Sequence, residues 1–268
     1  IARCYVALAT QAAPDYLDKA SRDLGAEIDR QVLMDGGHIS RNPAILIEIL
    51  TDLLPLRQVY ATQNAAPPPS LLNAIDRMGP MLRLFRHSDG ALALFNGMGS
   101  TPTDLIATLI AYQDALAKAM ENAMASGYQR LALDNTTLIM DCGPTPPEAY
   151  SGHAHAGCLS FEYADGSQRV ILNCGSPPAG HDLWKQAARL TNAHSTLEIG
   201  GMSMAAPSTL PLDWPRTPAL VTGPRVTSCQ RAEEEDGSLT VTARHDAYML
   251  AFGVEHERQI TLKPRGVV

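Results

Sequence analysis

The chain has 268 residues, 45% hydrophobic and 18% charged, a balance that excludes a disordered polymer and leaves room for two ordinary domains. No stretch reaches the roughly 20 unbroken apolar residues that a membrane span requires. The net charge of −7 and the scatter of Lys and Arg argue against nucleic acid as partner, although a local positive cleft for an acidic polymer stays compatible. Five cysteines, Cys4, Cys142, Cys158, Cys174 and Cys229, are an odd number without a CxxC pair, which favours buried free thiols over a disulfide framework.

Ile1-Ala-Arg-Cys-Tyr5 lacks an initiator Met and reads as the inside of a helix, so the chain is expected to be a fragment whose start says nothing about export. From Pro43, the residues Ile45, Ile47, Ile49, Leu50, Leu53 and Leu54 predict a helix packed on more than one side. Asn42 is its expected N-cap and Pro43 its first residue. The stiff connector Ala65-Ala-Pro-Pro-Pro69 leads into a helix over 70–85, and Gly90–Phe95 reads as extended. A further helix is expected from Thr103, capped by that residue and running to about Ser126-Gly127.

Beyond Tyr128 the pattern becomes one of short strands, at 128–133, 137–141, 159–163, 169–173, 195–199, 225–230, 238–243 and 257–262. Asp165-Gly166 and Asp236-Gly237 are turn signals between antiparallel neighbours. Only 182–189 looks helical in this half. Helices followed by strands predict two segregated units, a helical one over 1–125 and a sheet one over 126–268.

The run most suggestive of chemistry is His153-Ala-His-Ala-Gly-Cys-Leu-Ser-Phe-Glu162, with a third imidazole at His194 ahead of 195–199. His153 and His155 share a face if the segment is extended, and three imidazoles at strand entrances can meet around a metal or substrate. Three separate loop histidines bonded to backbone are the alternative. His87, His181, His245 and His256 read as ordinary surface or strand-end residues.

These runs, with Leu172–Gly175, Arg189–Ile199 and His245–Arg258, resemble the C-terminal sandwich of heparinase II/III family proteins, and Asp35-Gly-Gly-His-Ile-Ser-Arg-Asn-Pro43 resembles a segment of that family's helical toroid. Phe95-Asn96 is similar to the loop before the next toroid helix. The resemblance implies an α+β multidomain fold, a partial α/α toroid followed by an antiparallel β-sandwich. It also implies β-elimination on uronate-containing glycans of the alginate or glycosaminoglycan type, with no cofactor required and an exported or periplasmic location. Such chemistry needs a base for the proton alpha to the carboxylate, an acid for the leaving oxygen and a carboxylate clamp.

Carried over by position, the resemblance makes His153 an active-site imidazole and puts His155, His194 and Asn173 at the ligands of a structural zinc. Asn173 replaces the usual Asp there and brings no negative charge to a divalent cation. The position of the family's catalytic Tyr holds Ile45, its acidic position holds Ser40, and Tyr60 lies too far along the helix to stand in. The remaining candidates are His38 as an alternative base, and Arg41, Asn42 and Asn96 as substrate-binding residues, with Arg41 suited to a bidentate carboxylate grip. Three readings stay open: a lyase working through His153 and His38, a member retaining only glycan binding or a structural role, and a different, metal-assisted reaction on the same scaffold.

Overall fold

Proline sets where the main helices begin. Helices α2 (Pro14–Gln31), α3 (Pro43–Thr62) and α4 (Pro69–Phe85) each start on Pro, where its missing N–H costs nothing and its fixed φ is already helical. Asn42 caps α3 as expected, its side-chain oxygen accepting the Ala44 N–H at 2.9 Å. The computed structural model, which describes residues 1–112, 117–207, 220–264 and 266–267, adds α1 (Ala2–Ala9) and α5 (Thr103–Ala111) to this helical layer. Helix α2 is not among the sequence-based expectations. Its exposed surface is rich in charge, and the buried residues Ala20, Leu24, Gly25 and Ile28 form only a narrow stripe.

Two expectations fail at α5. The helix ends at Ala111, and strand β1 (Asn122–Ala123) is already paired where a helix was expected to be closing. Thr103 is the first helical residue, not the cap, and Pro102 occupies the cap position with no side-chain bond. Pairing with a neighbouring strand overrides the helical propensity of the Ala- and Met-rich segment around it. Residues 113–116 lie outside the described set.

The first sheet runs β1, β2 (Tyr128–Leu133), β3 (Thr136–Asp141), β4 (Phe161–Asp165) and β5 (Gln168–Ile171) in spatial as well as chain order. The second is ordered β11 (Gly266–Val267), β10 (His256–Lys263), β9 (Leu239–His245) and β8 (Val226–Glu233), and a small pair joins β6 (Ala206–Pro207) to β7 (Leu220–Thr222). Neighbouring strands are antiparallel throughout. Short helices α6 (Asp182–Ala187) and α7 (Met249–Phe252) lie in the connections. The expected strand at 195–199 does not form. The Ser195 hydroxyl instead donates to the Phe161 carbonyl and accepts the Phe161 N–H at 2.9 Å, while Ile199 makes a single bridge to Met202.

Strand alternation organises three layers. On β2 and β3, Tyr128 and Ile139 join the helical core with Leu50, Met81 and Phe85. Their neighbours of opposite parity, Leu131, Leu138 and Met140, pack with Leu239, Val241 and Ala243 of β9. The five-stranded sheet is therefore apolar on both faces, with helices on one side and the second sheet on the other. Arg130, on the helical face, reaches across the first boundary and donates to the carbonyls of Leu84 and Arg86 at 2.8 and 2.9 Å, closing the end of α4. The chain is thus α+β with antiparallel sheets, as its sequence pattern predicts.

Candidate functional site

The Asp35-Gly-Gly-His38 segment is shaped by packing. Gly36 has φ +84, and a Cβ there would lie 2.2 Å from the Arg77 carbonyl oxygen of α4, so only glycine fits. Asp35 accepts the Ser126 N–H at 2.6 Å and the Ser126 hydroxyl at 2.9 Å, tying the segment to the start of β2. His38 lies in this packed interior. Ser40 donates its backbone N–H to Nδ1 at 3.1 Å, which leaves Nε2 to donate to Gln31 at 2.8 Å. Burial lowers its pKa to about 4, so the ring is neutral with both nitrogens occupied.

Arg41 is equally committed. Its backbone sits at φ +60 and its guanidinium is buried, where it donates to the carbonyls of Ser126 and Pro144, each at 2.7 Å, and to the Asp141 carboxylate. Asp141 also accepts the Gly143 N–H at 3.0 Å and the Asn96 amide at 3.1 Å. Asn96 donates as well to the Tyr128 hydroxyl at 2.7 Å, and that hydroxyl donates to the Arg41 carbonyl at 2.7 Å. Burial pushes the Asp141 carboxyl up, against the pull of Arg41 and the two N–H donors. This network joins the start of α3, the 95–97 loop and the end of β3 in one polar knot.

From the knot, the Asn96 side-chain oxygen Oδ1 accepts the His155 N–H at 3.2 Å and so positions the 151–158 loop. Arg189 holds the same loop from behind, donating to the carbonyls of Ala154 at 2.9 Å and Ser151 at 3.2 Å. Gly97, at φ +93, lets the loop close in, since a Cβ would sit 2.6 Å from the His153 carbonyl oxygen and 3.1 Å from the Asn42 amide nitrogen. His153 therefore stands beside Asn42, held by a rigid backbone, with its imidazole half-exposed. Its pKa is lowered by burial first and then by the positive charges of Lys185 and Arg189. Of the predicted set, His153 is the exposed member, while Asn42, whose side chain caps α3, and Arg41, Asn96 and His38 are all buried as interior scaffold.

His155 and His194 do meet, with ring centroids 5.2 Å apart, and His155 Nδ1 and His194 Nε2 are buried without a hydrogen-bond partner. Burial, the largest cause in both, lowers the pKa of His194 to about 4 and that of His155 well below its ordinary value. The third expected ligand is otherwise engaged. The Asn173 side-chain oxygen lies 3.1 Å from His194 Nδ1 and accepts the Ser195 N–H at 3.3 Å. Its amide nitrogen faces the Glu162 carboxylate at 3.5 Å. Asn173 thus works as a neutral bridge between Glu162 and His194 and leaves two imidazole nitrogens as donors. Among the described residues no group of three His, Cys, Asp or Glu side chains is placed to hold a metal ion. A closed zinc site wants four ligands, and this donor set does not fit one.

Glu162 is the site residue that the sequence-based expectations miss. It is fully buried and accepts the Leu94 N–H at 2.8 Å and the Asn173 N–H at 3.1 Å, with His87 at 3.0 Å on its other oxygen. The only signal was its place at the end of the His153–Glu162 run. Of the four histidines expected at the surface or at strand ends, His245 and His256 do stand at the facing ends of β9 and β10, buried and paired at 3.1 Å, whereas His87 is buried and at neither kind of place. Each completes a polar contact inside the sheet layers, which a side-chain count cannot reveal.

The C-terminal part of this architecture matches the family model described as "Heparinase II/III-like, C-terminal" over residues 115–268. The chain belongs to the heparinase II/III-like family. A curated relative, "FtsZ-localized protein C" of Caulobacter vibrioides (strain NA1000 / CB15N), is 31% identical over 255 residues, covering 95% of this chain and 44% of that protein. Among solved structures, heparinase III aligns with a TM-score of 0.68 at 14% identity, over 92% of this chain and 41% of that one. The heparan sulfate lyase HepC from Pedobacter heparinus gives a TM-score of 0.68 at 16% identity, over 97% of this chain and 42% of that one. This heparinase II/III-like chain therefore spans less than half the length of the proteins it matches. At such low identity the two lyases establish its fold alone.

Proposed function

We propose that this heparinase II/III-like chain supplies a glycan-binding face, with α1–α5 as an arc of a helical toroid, in a protein that grips acidic polysaccharide without carrying out the family's β-elimination. The observation that carries this reading is the commitment of Arg41. Its donors are spent on Asp141 and on two backbone carbonyls, so the expected carboxylate clamp is part of the scaffold. His38 is buried and neutral, and Ile45, half-buried in the first turn of α3, cannot move a proton. Exposed chemistry is left at His153, where Lys185 and Arg189 raise the local potential in a chain of net charge −7. That field favours a uronate or sulfate group, and the half-exposed imidazole offers it a hydrogen bond.

The test uses the full-length protein carrying this chain and a panel of uronate polymers, sulfated and unsulfated. Expected are saturable binding, weakened in His153→Ala, and no rise in ultraviolet absorbance from an unsaturated sugar. A rise that disappears in His153→Ala would replace this reading with that of a working lyase. Absence of binding to every polymer would also sink it.

A second reading is favoured by the 31% identity to a protein named for localisation with FtsZ, about twice the identity to either lyase. The full-length protein would then act at FtsZ-containing assemblies. A fluorescent fusion spread evenly while FtsZ forms a ring would exclude this.

A further inference from the structure

Cys142 and Cys229 are absorbed by neither reading. Cys142 directly follows Asp141 at the end of β3 and is buried, whereas Cys229 lies in β8 of the outer sheet and is exposed. Alternation puts Cys229 and Arg231 on one face of β8. Arg231 donates from that face to the Arg130 carbonyl of β2 at 2.7 Å and pairs with Glu121 at 2.9 Å, so the face looks onto the first sheet. The two cysteines line one cavity of about 190 Å3 with Gly127, Pro144 and Val226, and each thiol is the largest influence on the ionisation of the other. Inside this contact the pair is polarised. The neighbouring Cys142 thiol lowers the Cys229 pKa, and the Cys229 thiol together with burial raises that of Cys142 well above the ordinary thiol value.

We propose that Cys229 and Cys142 form a reversible disulfide that ties the outer sheet to the end of β3, with Cys229 as the reacting thiol and Cys142 as the resolving one. An exposed thiol of lowered pKa beside a protonated, buried partner is the arrangement that thiol–disulfide exchange uses. The Cys229 thiolate attacks one sulfur of a small-molecule disulfide such as glutathione disulfide, expelling one thiolate and leaving a mixed disulfide. Cys142 then gives up its proton and attacks the Cys229 sulfur, expelling the second thiolate. Two electrons pass from the cysteine pair to the external disulfide, which is reduced to two thiols. The closed bond clamps the strand end whose Asp141 holds Arg41, so oxidation stiffens the scaffold behind His153.

The full-length protein is equilibrated in glutathione buffers of increasing oxidation, its remaining thiols are alkylated, and its peptides are mapped without reduction. A peptide linking Cys142 to Cys229 is expected, lost on adding dithiothreitol and absent in Cys229→Ser. Cys174, exposed but outside the pair, should at most carry glutathione. Full alkylation of both Cys142 and Cys229 in the most oxidising buffer would overturn the proposal. So would a lasting glutathione adduct on Cys229 with Cys142 still alkylated. The measurement on the wild-type protein decides even if a Cys142 variant fails to fold.

Discussion

Two polar clusters meet at Asn96 and are finished in opposite ways. Around Asp141, the side chains of Arg41, Asn96 and Tyr128 bond to one another and to backbone, a closed and dry arrangement. One peptide away, the His153–His194 region leaves His155 Nδ1 and His194 Nε2 without partners and His153 half-exposed. A buried charge pair is costly to desolvate and more costly to break, so the first cluster acts as a rigid joint. The second keeps unspent hydrogen-bonding capacity on a loop that the first holds still. Residue type alone would assign the chemistry to Arg41 and His38, whereas their environment makes them architecture.

The largest expected effect falls on the closed cluster. Asp141→Ala strands the buried Arg41 guanidinium and should cost about 3–5 kcal/mol of stability in urea unfolding. A loss below about 1 kcal/mol would mean that the knot does not join helices to sheet. Next comes acid. His38, His194 and His245 have folded pKa values of about 4 against ordinary values of 6.5, chiefly because of burial. The unfolded chain therefore binds more protons between those limits. Stability is full above pH 6.5 and declines as pH falls towards 4. The urea midpoint should drop over that window, and His245→Gln should flatten part of the drop; a midpoint unchanged across the window would contradict the neutral assignment.

A smaller effect is expected at the contact between the clusters. Gly97→Ala places a Cβ against the His153 carbonyl at a positive φ and should cost about 1–3 kcal/mol. Because the added methyl pushes the loop, glycan affinity should fall together with stability. Unchanged affinity would uncouple the loop from the joint. The smallest change in stability belongs to His153→Ala, within about 0.5 kcal/mol by thermal melting. The same variant should lose most of its glycan binding, and a strongly destabilised protein would show that His153 belongs to the scaffold after all.

Much of the fold was legible because it is locally encoded. Pro43 with Asn42, and the turns at Gly166 and Gly237, place element ends by backbone chemistry that needs no tertiary partner. Helix α2 escaped because its buried stripe is narrow, and 195–199 misled because its alternation serves side-chain bonds to Phe161 instead of a ladder. The candidate site was legible only as a set of names. His155, His194 and Asn173 do gather, yet Glu162, the carboxylate that holds Asn173, gave no periodic or spacing signal.

The sequence by itself determined that helices precede strands and carried the family resemblance, since both are properties of residue identity and spacing. Only the tertiary structure decided that Arg41 faces Asp141 and not a ligand, that Asn173 bridges Glu162 to His194, and that Cys229 lies against Cys142. The physical reason is common to all three. A polar side chain takes its role from the partners and dielectric around it, and those come from segments far away in the chain.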